Sequence, residues 1–312
     1  MERRPLLLAA ASSLAGAGML SAGPAGADAS GPSLAAYYTL HMALKDGVAW
    51  AWNAQERPRR QPDLAGGPWV QVGVSDKACH GLSASGEFWR WTPDAARGQR
   101  LLAGVRQFAV GQSGWFAIDA GNRLWQASDG AAQAAGNDAA QACIGDSADY
   151  WVGRDGRLWV RGLAHRGQYG DGRLQASATY VSTVEGVVAV RAHTGHAIAL
   201  RRDGTVIGTG GNRFGPLSSH GLGDKADRWG RLFDGAVAIA TGSRHSLAIR
   251  ADGSLWGWGE GFGIAPVRLR AEGTGVAAGD TATIARTRDG ALWQWDGGGT
   301  PRRLAPSGAS LR

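Results

Sequence analysis

Residues able to do chemistry are few in this chain, and they are widely spread. His193 and His196 have a spacing at which histidines can share a metal, but no carboxylate or cysteine completes the set. Carboxylates recur at Asp155, Asp203, Asp252 and Asp289, where acid–base work would need them paired. Each of them precedes a glycine between two apolar runs, which is the place of a turn former. Glycine strings such as Gly257–Gly263 follow a Trp-bearing strand and open no helix, so they make no phosphate loop. No nucleophile stands at motif spacing from a base. The expectation is therefore no catalytic residue, no metal and no cofactor.

The elements that carry these residues are all versions of one stretch, Val237–Glu260. It reads as two short apolar strands, a turn at Asp252-Gly253, and a third strand that starts with Leu255-Trp256. Asp-Gly tolerates positive φ, so a two-residue hairpin turn is expected there. Trp256 and Trp258 share one strand face and need an apolar cover.

The turn and its Trp recur seven times, at Asp46-Gly47, Ser85-Gly86, Gly121-Asn122, Asp155-Gly156, Asp203-Gly204, Asp252-Gly253 and Asp289-Gly290. The third copy is worn, and Ile207 replaces Trp in the fifth. The first copy is one residue short of the others. Repeats of roughly forty residues, each with four short strands, form propeller blades. The fold class is all-β, a seven-bladed β-propeller over 33–312. Ala131–Ala142 reads as a degraded outer strand or a loose loop, and Thr300–Leu304 as the last outer strand.

Gly242–Gly259 resembles the repeat of the regulator of chromosome condensation family, G-x-x-H-S-L-A-L-x-x-D-G-x-V-x-x-W-G. His196–Leu200 and His41–Gly47 are similar, as is the segment Gly167-Gln168-Tyr169-Gly170-Asp171-Gly172. The resemblance implies the propeller and says little about the task. Its nuclear namesake is a nucleotide-exchange factor. Secreted bacterial members include propellers that inhibit β-lactamases through aromatic residues on their loops, and Tyr37, Tyr38, Trp115 and Tyr150 lie near matching positions here. His196 and His245 occupy the repeat's own His position and are expected to bond backbone of their own blades.

Antiparallel order puts the loops between first and second strands on one ring face. Candidate partner-binding residues on that face are Tyr37, Tyr38, Lys77, Trp115, Asp146, His196, Arg244 and Asp280. The long loops His165–Gly172 and Asn212–Trp229 add Arg166, Tyr169, Arg213 and Phe214. Each has a bland alternative: Trp115 could pack between blades, and the loop arginines could simply be solvated.

Residues 1–27 read as an export signal: Arg3-Arg4, an apolar run over Leu6–Leu20, then Ala25-Gly26-Ala27. The two arginines also fit a twin-arginine signal. Residues 28–32 form a short linker. The expected site of action is periplasmic or secreted, with no membrane span. The net charge of +7 is scattered, so nucleic acid is an unlikely match for an exported chain. Cys79 and Cys143 fall in repeats two and four, too far apart for a disulfide. The reading is an exported, monomeric, non-catalytic propeller that binds an unidentified protein. The alternatives are an inhibitor of an exported enzyme, an enzyme with convergent polar residues in its central channel, and a binder of anionic polymer.

Overall fold

Each turn of the repeat closes one antiparallel sheet. In a computed structural model, the chain is described over 34–53, 56–64, 67–76, 78–128, 131–218 and 223–304. The export signal, the linker, Lys77 and the final residues after 304 lie outside the described residues. Among the described residues there are seven four-stranded sheets, each made of four consecutive strands. The first strand of every blade touches the first strand of the next, so these strands form the inner wall of a ring. The fold is a seven-bladed β-propeller.

The core is divided among the blade junctions. Trp256 and Trp258 pack with Phe233, Leu217 and Ile198 of blade five, while Leu247, Ile249 and Leu255 on the opposite face meet Val276 and Trp295 of blade seven. Alternation along each strand thus feeds two junctions at once. The ring closes by packing rather than by strand exchange. Leu34, Ala36, Ala43 and Trp52 of blade one bury against Ala277, Ile284 and Leu304 of blade seven. Two polar ties cross the same junction: Trp52 Nε1 donates to Gln294 Oε1 at 3.3 Å, and Arg286 Nη2 to the Leu44 carbonyl at 3.0 Å.

The expected two-residue turn is correct for blade one only. There Lys45 pairs with Val48, and Asp46 and Gly47 both have positive φ, 51° and 74°. In blade six Arg250 N donates to Ser254 O and Gly253 N to Arg250 O, which makes a three-residue loop with Gly253 left-handed at φ 82°. Blades two, four, five and seven repeat this pattern, and blade three has Asn122 at φ 66° in the glycine's place. The shorter turn accounts for the missing residue in the first copy. The aspartates hold the longer loops: Asp252 Oδ1 accepts from Ser254 N at 2.8 Å, and Asp203 Oδ1 from Thr205 N at 2.9 Å. The Ser254 hydroxyl, which also donates to Asp252 at 2.6 Å, and these backbone bonds favour the charged form and hold both carboxyls below the usual range.

The left-handed residue has a second task. Its carbonyl accepts the first N–H of the next blade: Gly47 O from Trp69, Gly86 O from Val105, Asn122 O from Ala139, Gly156 O from Val187, Gly204 O from Ala236 and Gly253 O from Gly273. The turn therefore sets the spacing of neighbouring blades.

Register moves one histidine. His41 pairs with Trp52 as Ser246 pairs with Trp258, so Leu40, not His41, stands where His245 does. The worn third repeat keeps its outer strand at Gln133–Gly136, while Ala139–Ile144 is the first strand of blade four. Arg302–Leu304 is the outer strand of blade seven, as read from the tail. Cys79 and Cys143 are free and buried, in blades two and four, and burial pushes both thiols up to about 12.

Candidate binding face and the channel mouth

The loops between first and second strands meet around the channel mouth, and blades one and five depart from the repeat there. Most blades carry Gly at the end of the first strand, as at Gly111, Gly145, Gly242 and Gly279; blade one has Tyr37 and blade five His193. These two side chains stack, with centroids 5.2 Å apart. Tyr37 Oη also donates to Asp146 Oδ1 of blade four at 2.6 Å, so the residue spans the ring. Tyr38 sits beside it at φ 46°, a left-handed conformation unusual for an aromatic residue, with its hydroxyl 3.4 Å from Asp146 Oδ2. Burial, and then the bond to Asp146, push the Tyr37 phenol far above its ordinary range.

Thr194 and Ser243 complete this cluster. Thr194 Oγ1 lies 3.3 Å from Asp146 Oδ2 and 3.1 Å from Ser243 Oγ. His193 Nδ1 is 3.0 Å from Thr194 Oγ1, 3.2 Å from Ser243 Oγ and 3.9 Å from Asp146 Oδ2. Serine, histidine and aspartate are thus together, yet all contacts converge on one ring nitrogen. A relay needs the two nitrogens to serve different partners, so this arrangement does not prime Ser243 as a nucleophile. Burial holds His193 below its ordinary pKa against the opposing charges of Asp146 and Asp280, leaving a neutral ring at pH 7. The cluster is a polar brace across the channel mouth. Its sequence signal was the pair of bulky residues standing in for the repeat's Gly.

His196 and His245 do not bond backbone of their own blades. His196 Nε2 lies 3.1 Å from Ser246 Oγ of the next blade, and His245 Nε2 lies 2.9 Å from Thr283 Oγ1 of the blade after it. Ser246 Oγ gives its own proton to the Pro216 carbonyl at 2.9 Å, so it accepts from an Nε2-protonated His196. Trp258 Nε1 donates to the same carbonyl at 2.7 Å. The repeat's His is a strut between blades.

Beside the brace opens a cleft of about 580 Å³. Its wall gathers Tyr38, His196, Arg244 and Asp280 from the strand loops with Arg166, Arg213 and Phe214 from the long ones. Thr194, Ser243, Asp224 and Lys225 also line it, and sequence reasoning had not singled them out. Phe214 is 40% exposed, with the Arg244 guanidinium 4.5 Å from its ring centroid and that of Arg213 at 5.7 Å. Arg244 is held by Glu260 at 3.1 Å. Arg166 crosses from blade four over Gly195 and Gly211 of blade five; a Cβ on Gly195 would come within 3.0 Å of its Nη1.

Four of the expected face residues are too buried to touch a macromolecule. Trp115 is 9% exposed and meets Phe88 edge-on between blades two and three, at 5.4 Å. Tyr169 is fully buried and donates to the Gly162 carbonyl at 2.9 Å, anchoring its loop from below. Tyr37 belongs to the brace and His196 to the strut. Asp146 is largely occupied within the brace. The accessible members are Tyr38, Arg166, Arg213, Phe214, Arg244 and Asp280.

Residues 236–262 match the family model described as Regulator of chromosome condensation (RCC1) repeat. Prp20p from Saccharomyces cerevisiae superimposes with a TM-score of 0.68 at 16% identity, over 81% of this chain and 81% of that one. Residues 236–262 thus carry one such repeat, and the fold of the chain is that of the propeller it superimposes on. The ectodomain of the Physcomitrella patens receptor kinase CR4 is also similar, with a TM-score of 0.60 at 15% identity, over 85% of this propeller and 73% of that chain. So is human WBSCR16, with a TM-score of 0.53 at 15% identity, over 87% of this propeller and 81% of that chain. At such identities the likeness is one of fold. Among curated proteins, none matches the sequence. No helix of the described residues is long and apolar enough to cross a membrane, and no group of three or more His, Cys, Asp or Glu among them is placed to hold a metal.

Proposed function

We propose that this propeller is an exported, non-catalytic binding protein that docks a protein partner on the ring face carrying the cleft. One observation carries the reading: an exposed Phe214 flanked by two guanidiniums at the rim of an open cleft. Aromatic and Arg side chains of this kind dominate binding energy in protein interfaces. Loops held on a rigid scaffold are the usual place for such a site. Prp20p, which shares the fold, is described by its binding to Gsp1p and histones, which makes a protein partner a natural expectation for the architecture. Export rests on Arg3-Arg4 and the apolar run after them. Inhibition of an exported enzyme is a special case of this reading.

The test is chemical cross-linking of the purified protein in periplasmic and secreted fractions, next to a Phe214→Ala/Arg244→Ala variant. A partner captured by the first and lost by the second, with unchanged melting of the variant, supports the reading. Capture that is equal for both moves the interface to another face.

A further inference from the structure

We infer that the cleft receives an acidic segment of the partner chain, with carboxylates held by Arg166, Arg213 and Lys225 and a neighbouring apolar side chain set against Phe214. This rests on the protein-binding reading above and names the chemistry of the partner. The ground for it is an imbalance of charge. On this face Arg161 pairs with Asp149, Arg173 with Asp171 and Arg244 with Glu260. Arg166, Arg213 and Lys225 line one cleft and have no carboxylate partner among the described residues. Among the described residues Lys225 Nζ reaches the His165 carbonyl, at 3.5 Å.

Two acids share the wall, Asp224 and Asp280. Asp280 lies toward the channel mouth, where its charge bears on Tyr38 and His193. The cations still outnumber the acids, and gathering like charges in a recess costs free energy that an incoming anion relieves.

The recess favours a peptide over a polyanionic chain. Its cations stand in one pocket rather than along a track. An apolar shelf adjoins them: Phe214, and Ile264, which is 62% exposed and lies against Gly215. A polyanion carries its charge along an extended chain, which a single recess does not follow. Arg166 is also preset: the bare backbone of Gly195 and Gly211 lets its side chain lie flat between blades, which lowers the entropy lost on binding.

The experiment selects displayed random dodecapeptides on the full protein and measures the winners by fluorescence anisotropy at two salt concentrations. The expected winners pair Asp or Glu with Leu or Phe. They should lose at least tenfold in affinity on Arg166→Ala/Arg213→Ala, a typical loss for charge-assisted hydrogen bonds. They should also weaken on Phe214→Ala, and Arg97→Ala in blade two should leave them unchanged. Both cleft arginines are exposed, so the variants are expected to melt with the native protein. Winners without carboxylates that still depend on Phe214 would overturn the acidic assignment and leave the protein-binding reading standing. Displacement of the winners by heparin, with steep salt dependence and no effect of Phe214→Ala, would overturn both in favour of a polyanion site.

Discussion

Acidification should unfold this propeller well before its carboxylates are titrated. Besides His193 in the brace, four histidines are buried and neutral. Burial pulls His41 and His245 down to about 4, and His80 and His196 down to about 3, from an ordinary 6.5. Asp296 partly opposes the shift at His41, Arg302 reinforces it there, and Arg90 reinforces it at His80. A depressed native pKa means that the unfolded chain binds the proton first. The stabilisation is complete above pH 6.5 and is lost progressively toward the native values of about 3 to 4. At about pH 5 each histidine is roughly 1.5 units below its unfolded pKa, a loss of about 2 kcal/mol apiece. Four of them lose roughly 8 kcal/mol if additive, comparable with the roughly 5–15 kcal/mol that holds most domains folded. The assay is urea unfolding between about pH 7.5 and 5, followed by Trp fluorescence. Stability should fall by about 5 kcal/mol per pH unit near pH 5, and each His→Gln variant should reduce that slope by about 1.2 kcal/mol per unit. A slope that stays flat through this window, or one that the His245→Gln and His196→Gln variants leave unchanged, would refute neutral burial of these rings.

Further outcomes follow from the junctions. Gly253→Ala places a Cβ on a residue at φ 82° whose carbonyl holds blade seven, and it should cost about 1–2 kcal/mol in unfolding free energy, whereas Asn122→Gly should be neutral or slightly stabilising. Trp52→Ala empties the junction that closes the ring and should destabilise by about 3–5 kcal/mol, read as a large drop in melting temperature. Thr283→Val leaves His245 Nε2 buried without its partner and should cost about 1–3 kcal/mol, while the Cys79 and Cys143 thiols should resist labelling until the chain unfolds.

Much of the proposed face was legible because it is built from departures from a repeat. Arg244 and Asp280 stand out as variable residues at fixed loop positions, and Arg166, Arg213 and Phe214 stand out because their loops are long. Trp115 misled because an aromatic residue near a loop reads alike whether it points outward or between blades. It falls at the Ser246 position of the register, which faces the junction. Tyr169 misled for a related reason: a loop needs an anchor, and its most conspicuous aromatic residue serves as that anchor rather than as bait.

The sequence alone determined the blade count and the strand order within each blade, because both depend on local pattern: alternation and turn residues. It also placed Cys79 and Cys143 in blades that do not touch. Only the tertiary structure decided which residues meet across the ring. The contact of Tyr37 with Asp146 joins positions 109 residues apart, and no local rule predicts it. The same holds for the histidine struts, since one repeat specifies the His and the next supplies its hydroxyl. The cleft belongs to this second class: its unpaired cations come from blades four and five and its acid-paired Arg244 from blade six, and they share one recess only once the ring has brought those blades together.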